Sequence, residues 1–336
     1  MKRLSSSPRP ARWQARALVV VLGVSVGIPI ASGYQLVRGR SFVWPSEQRP
    51  VPYWVANVPD NWMTVDQVVA ETRAAFDTWA APEQVGVSFS YQGKTNLRPF
   101  DFFDRTNTVG FSTREHMAEL GLSEVTLAVT SWLADMETGA IAEADILVNP
   151  AYTWTDIPDS GFWDYRTSLI HEAGHFMGLG HSGVGRQSAV GLAAGSAVMW
   201  PYTFGRGNSL GRTLTADDIT GASVLYPSAS TPSGQIYGEV RHASGEAVAY
   251  AHVVAYEPLV DLTVGAWADG EGNYEIAGLP DGVYVLRANP IPANHSDGAY
   301  FFPFGRVARN FSATVHPRLV VISGAGATEA RIEVGQ

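Results

Sequence analysis

Cysteine is absent from the 336 residues. Its absence excludes a disulfide-stapled scaffold, a thiolate-ligated metal or iron–sulfur site, a cysteine nucleophile and a lipid anchor attached through cysteine. Any metal held here must rest on nitrogen or oxygen. Charge is also scarce, at 16% of residues against roughly 25% in soluble domains generally. The formal net charge is −9, but the first 33 residues carry Lys2, Arg3, Arg9, Arg12 and Arg16 and no acid. The remainder holds 18 basic against 32 acidic residues, a net of −14. A chain this acidic lacks the basic face that a nucleic-acid partner requires.

The apolar run Ala17–Ile30 is 14 residues long, short of the ~20 that span a bilayer as a helix. A basic stretch to Arg16 precedes it and the small residues Ala31-Ser32-Gly33 follow. Residues 1–33 therefore read as an export signal cleaved near Gly33, giving a secreted protein with no stable membrane insertion. An uncleaved N-terminal membrane anchor is the alternative.

From Ser41 to about Tyr226 strand and helix patterns mix. Val51–Val55 is short and β-rich, and Pro59-Asp60-Asn61 turns the chain. Val65, Val68, Val69, Thr72, Ala75, Phe76 and Trp79 recur at helical spacing. Val85–Tyr91 alternates as a strand, and Val125–Leu133 and Ile141–Val148 read as two more, separated by a turn at Glu137-Thr138-Gly139. A second helix is expected from about Asp164 to Leu179. A third starts near Thr215, with Asp217 and Asp218 in its first turn, and ends before Pro227. Residues 229–233 lie in a polar Pro/Ser-rich run and read as a linker. Beyond Gly234 about seven short β-rich segments, punctuated by glycine turns, suggest a β-sandwich over 234–336. The expected fold class is α+β: a mixed twisted sheet with three helices, followed by an all-β domain.

The most informative segment is His171-Glu172-x-x-His175-x-x-Gly178-x-x-His181. On a helix His171 and His175 lie one turn apart on one face, so both imidazoles reach one ion. Glu172 sits beside them, able to approach a water on that ion without ligating it. His181 would lie ~9 Å further along a continuous helix and off the shared face. The helix must therefore end near Gly178, where glycine tolerates the left-handed turn that swings His181 back. Three neutral imidazoles plus an exchangeable water make a catalytic zinc site suited to hydrolysis, with Glu172 placed as general base.

This motif resembles the zinc signature of the metzincin metallopeptidases. Ala197-Val198-Met199-Trp200-Pro201-Tyr202 is similar to the turn whose methionine lies beneath the zinc in that clan. Ser182 and the segment Leu214-Thr215-Ala216-Asp217-Asp218-Ile219 through Tyr226-Pro227 point to the matrixin branch, as do Val51 to Asp60, Ala75 to Trp79 and Glu143 to Asn149. The resemblance covers residues 41–228 and implies a metzincin-type catalytic domain. It also implies a protein or peptide substrate lying extended along the edge strand at about Thr126–Trp132. Thr167 and Tyr202 are candidates for the pocket that takes the side chain after the cut, against ordinary packing. Asp217 and Asp218 are either plain helix-start acids, or one is buried to tie its helix to the Met199 turn.

Two departures from the family pattern matter. With no cysteine, the family's cysteine-based latency is excluded. His116 is the sole histidine upstream of the catalytic helix, so one zinc, Zn(2+), is expected. Calcium, Ca(2+), is a further candidate in the loops around Asp101–Asp104 or Asp135–Asp145, against acids that are merely solvated.

Asp269 through Arg287 resembles the carboxypeptidase regulatory-like, transthyretin-like β-sandwich family, over about residues 233–336. His242, His252, His295 and His316 lack metal-ligand spacing and read as surface or strand-face residues. The leading function is a secreted zinc metalloendopeptidase. The competing one is an exported binding or adhesion protein whose β-sandwich carries the role on a protease-like scaffold.

Overall fold

The computed structural model describes residues 18–22, 41–58, 62–122, 125–135, 137–185, 196–202, 205–293, 295 and 307–335. The expected turn at Pro59-Asp60-Asn61 and most of the 1–33 leader lie outside them.

The first part of the chain runs β1 (Leu18–Leu22), β2 (Val51–Ala56), α1 (Val65–Ala80), β3 (Phe89–Thr95), β4 (Thr108–Phe111), α2 (Arg114–Glu119), β5 (Ala128–Asp135), β6 (Ile141–Val148), β7 (Trp154–Thr155), β8 (Trp163–Asp164), α3 (Tyr165–Phe176) and α4 (Ala216–Leu225). Six strands form one sheet in the order β1-β5-β6-β4-β2-β3. β2, β3, β4 and β6 are mutually parallel where they pair, and β5 runs antiparallel to β6. Part of the expected leader, Leu18–Leu22, pairs antiparallel with the outer edge of β5.

Helix α1 starts at a capping box, Thr64 with Gln67, which satisfies two of its otherwise orphaned N–H groups. Its apolar stripe buries Val68, Ala75, Phe76 and Trp79, and the Trp79 indole donates to Ile170 O of α3 at 2.7 Å. Arg166 of α3 returns a bidentate pair to Glu71 of α1, at 2.6 and 2.7 Å. Asp164 caps α3 by accepting from Thr167 N at 2.7 Å and is itself held by Arg212. At the other end the Trp44 indole donates to Phe176 O, and the Tyr226 hydroxyl donates to Met177 O. Carbonyls that a helix C-terminus leaves without partners are thus occupied, and α3 is fixed at both ends over the sheet.

One expectation shifts. The alternating Val85–Tyr91 stretch is a strand only from Phe89 onward. Val85 and Val87 are buried nonetheless, because Gly86 N donates to Tyr226 O and ties that segment to the end of α4. Helix α2 and strand β4 were not anticipated.

The remaining chain contributes β9 (Gly234–His242), β10 (His252–Glu257), β11 (Leu262–Trp267), β12 (Asn273–Leu279), β13 (Gly282–Asn289), β14 (Thr314–Val315), β15 (Val320–Ile322), β16 (Ala327–Glu329) and β17 (Ile332–Val334). One sheet has the order β11-β10-β13-β14 with β15 also on β13. Another has β12-β9-β16 with β17 also on β9. Ile236 and Val240 of the second sheet and Val253, Val264 and Leu286 of the first share one buried apolar cluster.

His252 of β10 is fully buried against Trp267, and burial pushes its pKa down to about 3. The folded state therefore keeps it neutral while the unfolded chain takes up a proton below about pH 6.5. Stability is lost as pH falls through that window, by about 2 kcal/mol between pH 7.5 and 5 from this one group. Denaturant titrations at the two pH values should show that increment disappearing in His252→Leu; an equal loss in both proteins would refute it.

Candidate metal centre

Helix α3 ends as the spacing of its histidines requires. Gly178 takes φ 97°, its N–H donates to His175 O at 2.8 Å, and Leu179 N donates to Gly174 O at 2.9 Å. This is a complete Schellman turn, in which a glycine in the left-handed region lets the chain reverse. The reversal brings His181 back to α3. Nε2 of His171 lies 3.1 Å from Nε2 of His175 and 3.2 Å from that of His181, and the last two are 3.1 Å apart. Among the described residues, these three form the group whose ligand atoms converge.

The outer nitrogens explain which lone pairs face inward. His171 Nδ1 lies 2.7 Å from Val198 O and His175 Nδ1 lies 2.8 Å from Leu179 O. A carbonyl only accepts, so each Nδ1 carries the proton and each Nε2 presents a bare lone pair. Burial lowers the pKa of His171, and burial together with the neighbouring His181 and His171 lowers that of His175 further. His171 and His175 are therefore held neutral, as metal ligation demands. The three nitrogens are spaced closely enough that one ion at ordinary zinc–imidazole distances would be held by all three. The donor set fits zinc, with the backbone carbonyls as the outer partners that fix ring orientation.

Glu172 is buried beside this triangle. Its Oε2 lies 2.6 Å from the Thr130 hydroxyl, which is also 2.9 Å from Glu172 O. Burial raises the carboxyl pKa to about 7, and the Thr130 hydrogen bond opposes the rise. Thr130, on β5, was not singled out from the sequence; a threonine in a β-rich run carries no signal that it faces a helix 42 residues on.

Met199 packs beneath the helix, its Sδ so close to Gly174 that a methyl there would lie 2.3 Å from the sulfur. Ser182 N donates to Met199 O and Ala197 N to Val184 O, lacing the segment after His181 to the turn. The two neighbouring acids divide. Asp218 accepts from Val198 N at 2.9 Å and Met199 N at 3.0 Å, tying α4 to the Met199 turn. Asp217 accepts from Ser182 Oγ at 2.5 Å and from Gly265 N at 2.8 Å.

Thr167 lies one turn before His171, its hydroxyl buried without a hydrogen-bond partner. Tyr202 is partly exposed, with its ring 4.5 Å from that of His295. The acids considered for calcium act largely as loop staples. Glu143 accepts from Phe103 N and Arg105 N, Asp145 from Phe100 N and Thr108 N, and Asp135 from Glu137 N and Thr138 N. His116 Nε2 lies 3.0 Å from Pro99 O. No described helix is long and apolar enough to cross a membrane.

A model of the matrixin family matches residues 43–227. Matrilysin of Rattus norvegicus is 41% identical over 73 residues, a stretch that covers 22% of this chain and 23% of matrilysin, so the match spans about a quarter of that relative. Two solved structures described as carbohydrate-binding proteins are also similar in part. One, from Bacteroides uniformis, is 15% identical over 31% of this chain and 41% of its own, with a TM-score of 0.22. The other, from Pseudomonas aeruginosa, is 14% identical over 32% and 90%, with a TM-score of 0.20. Likenesses this slight carry no argument about fold or ligand.

Proposed function

The chain belongs to the matrixin family of peptidases, and from that premise we propose that it is an exported zinc-dependent endopeptidase with a metzincin-type catalytic domain over residues 41–228. The observation that carries this reading is the convergence of three histidine Nε2 atoms beside a buried carboxylate that is not itself a ligand. His171, His175 and His181 would hold the ion. Zinc bound there supplies Lewis-acid polarisation of the scissile carbonyl and lowers the pKa of water at the site toward 7. Glu172 takes the proton of the attacking water and returns it to the leaving amine. Thr130 orients the Glu172 carboxylate for both transfers. Met199 forms the apolar floor, and Thr167 and Tyr202 line the approach for the side chain after the cut.

The substrate is a protein or peptide in extended form, added to the outer edge of β5 by main-chain hydrogen bonds. β1 occupies that edge, so cleavage of the leader near Gly33 frees it. Residues 234–336, after a linker at 229–233, form a carboxypeptidase regulatory-like β-sandwich. Protein recovered from the culture medium should begin near residue 34, carry about one zinc per chain and cleave peptides in a chelator-sensitive way. Zinc-loaded protein that cleaves no member of a broad peptide library would sink the reading.

A further inference from the structure

Asp217 is a buried carboxylate that the hydrolytic chemistry does not use. One oxygen accepts from Ser182 Oγ, the residue directly after the third histidine, and the other accepts from Gly265 N in β11. Ser182 Oγ in turn accepts from Val184 N at 2.9 Å. One side chain on α4 therefore joins the loop that carries His181 to a strand of the β-rich region.

The packing around this link is equally close. A methyl at Gly183 would come within 2.6 Å of both the His252 and Trp267 rings, and one at Gly265 within 2.8 Å of Val184 Cγ2. In the segment hydrogen-bonded to this loop, Trp200, next to Met199, packs against Trp267 and Ile291, with its ring 5.4 Å from that of His295. Both segments that frame the histidines, 182–184 and 197–200, thus lie against the β-rich region.

We propose that the C-terminal β-rich region is part of the metal centre's scaffold: Gly265 N–H, Asp217 and Ser182 form a positioning relay that fixes the His181 loop and sets how tightly zinc is held. The inference rests on the zinc-peptidase reading above. His181 lies beyond the glycine turn and off α3, and the residue directly after it is tied to both Asp217 and Met199 O, so those ties help set its place beside His171 and His175. Fixing a ligand through its outer partners is generally worth 10–100-fold in metal affinity, and a pre-set loop avoids the ordering cost at the moment of binding.

The test is the zinc dissociation constant of the full chain, measured by competition with a chromophoric chelator, alongside the melting temperature. Ser182→Ala, Asp217→Ala and Trp267→Leu should each weaken zinc binding about 10–100-fold. Asp217→Asn, whose amide can still accept from Gly265 N and donate to Ser182 Oγ, should return to within a few-fold of wild type. A merely structural role would lower the melting temperature and leave the zinc constant of the folded protein unmoved, which would overturn the proposal. If Asp217→Ala does not fold, Ser182→Ala and Trp267→Leu decide. Wild type that binds no zinc overturns the peptidase reading and this inference with it; wild type that binds zinc no more tightly than all the variants overturns this inference alone.

Discussion

Glu172→Gln should lower peptide hydrolysis by about 10²–10⁴-fold while leaving zinc content at the wild-type level. Gln keeps the volume of the buried side chain and the contact with Thr130, 2.6 Å from Oε2, so the helix and the three histidines stay in place. What it loses is the ability to accept a proton from water and hand it on. The loss belongs to the chemical step and should fall on kcat, with KM little changed. Thr130→Val should cost less, because it removes the group that orients the carboxylate and leaves the base itself. Steady-state kinetics with metal analysis on the same samples decide the matter. Activity within a few-fold of wild type in Glu172→Gln would remove Glu172 from the mechanism, and loss of zinc in parallel with activity would make it a structural residue instead.

The histidine spacing was legible because the helix has a fixed rise. Six residues of continued α-helix would have carried His181 away from His175, so the motif could reach one ion only through a helix end at Gly178, and the chain reverses there at φ 97°. The strand at Val85–Tyr91 was misplaced for an equally physical reason. Alternation reports which side chains are buried, and Val85 and Val87 are. The segment satisfies its backbone against Tyr226 rather than within the sheet, a partner 140 residues away that no local pattern reveals.

Asp217 and Asp218 show where sequence reading runs out. The two residues are adjacent, identical and both inside the first turn of α4, where an acid is favoured by the helix dipole in any case. Helical geometry turns them about 100° apart. One therefore meets the Met199 turn and the other meets Ser182 and β11. Both are buried, and burial raises the pKa of each, that of Asp217 to about 7. Such positions persist only when donors are aimed at them, and those donors come from chain segments far away in sequence.

Gly178→Val should abolish zinc binding and activity together, a larger effect than any outer-shell change. A Cβ at this position would lie 2.0 Å from Phe42 O and 3.5 Å from Ile141 Cδ1. The first of these is a main-chain atom, next to the Val43–Ala140 bridge, and cannot move aside as a side chain would. A β-branched residue is additionally strained at φ 97°, by roughly 1–3 kcal/mol. The turn must open to relieve both. Opening it breaks the Gly178 N and Leu179 N hydrogen bonds to α3 and releases the Leu179 carbonyl that fixes His175. Two of the three ligands are then misplaced at once. Zinc affinity should fall by more than the 10–100-fold typical of an outer-shell partner. Gly121→Ala is the matched control, since Gly121 also has positive φ but its added methyl meets nothing within 4 Å. That variant carries backbone strain without the clash, in a turn that joins no two of the three histidines, so its zinc constant should match wild type. Gly178→Val that holds zinc within a few-fold of wild type would show that the His181 loop does not depend on this turn.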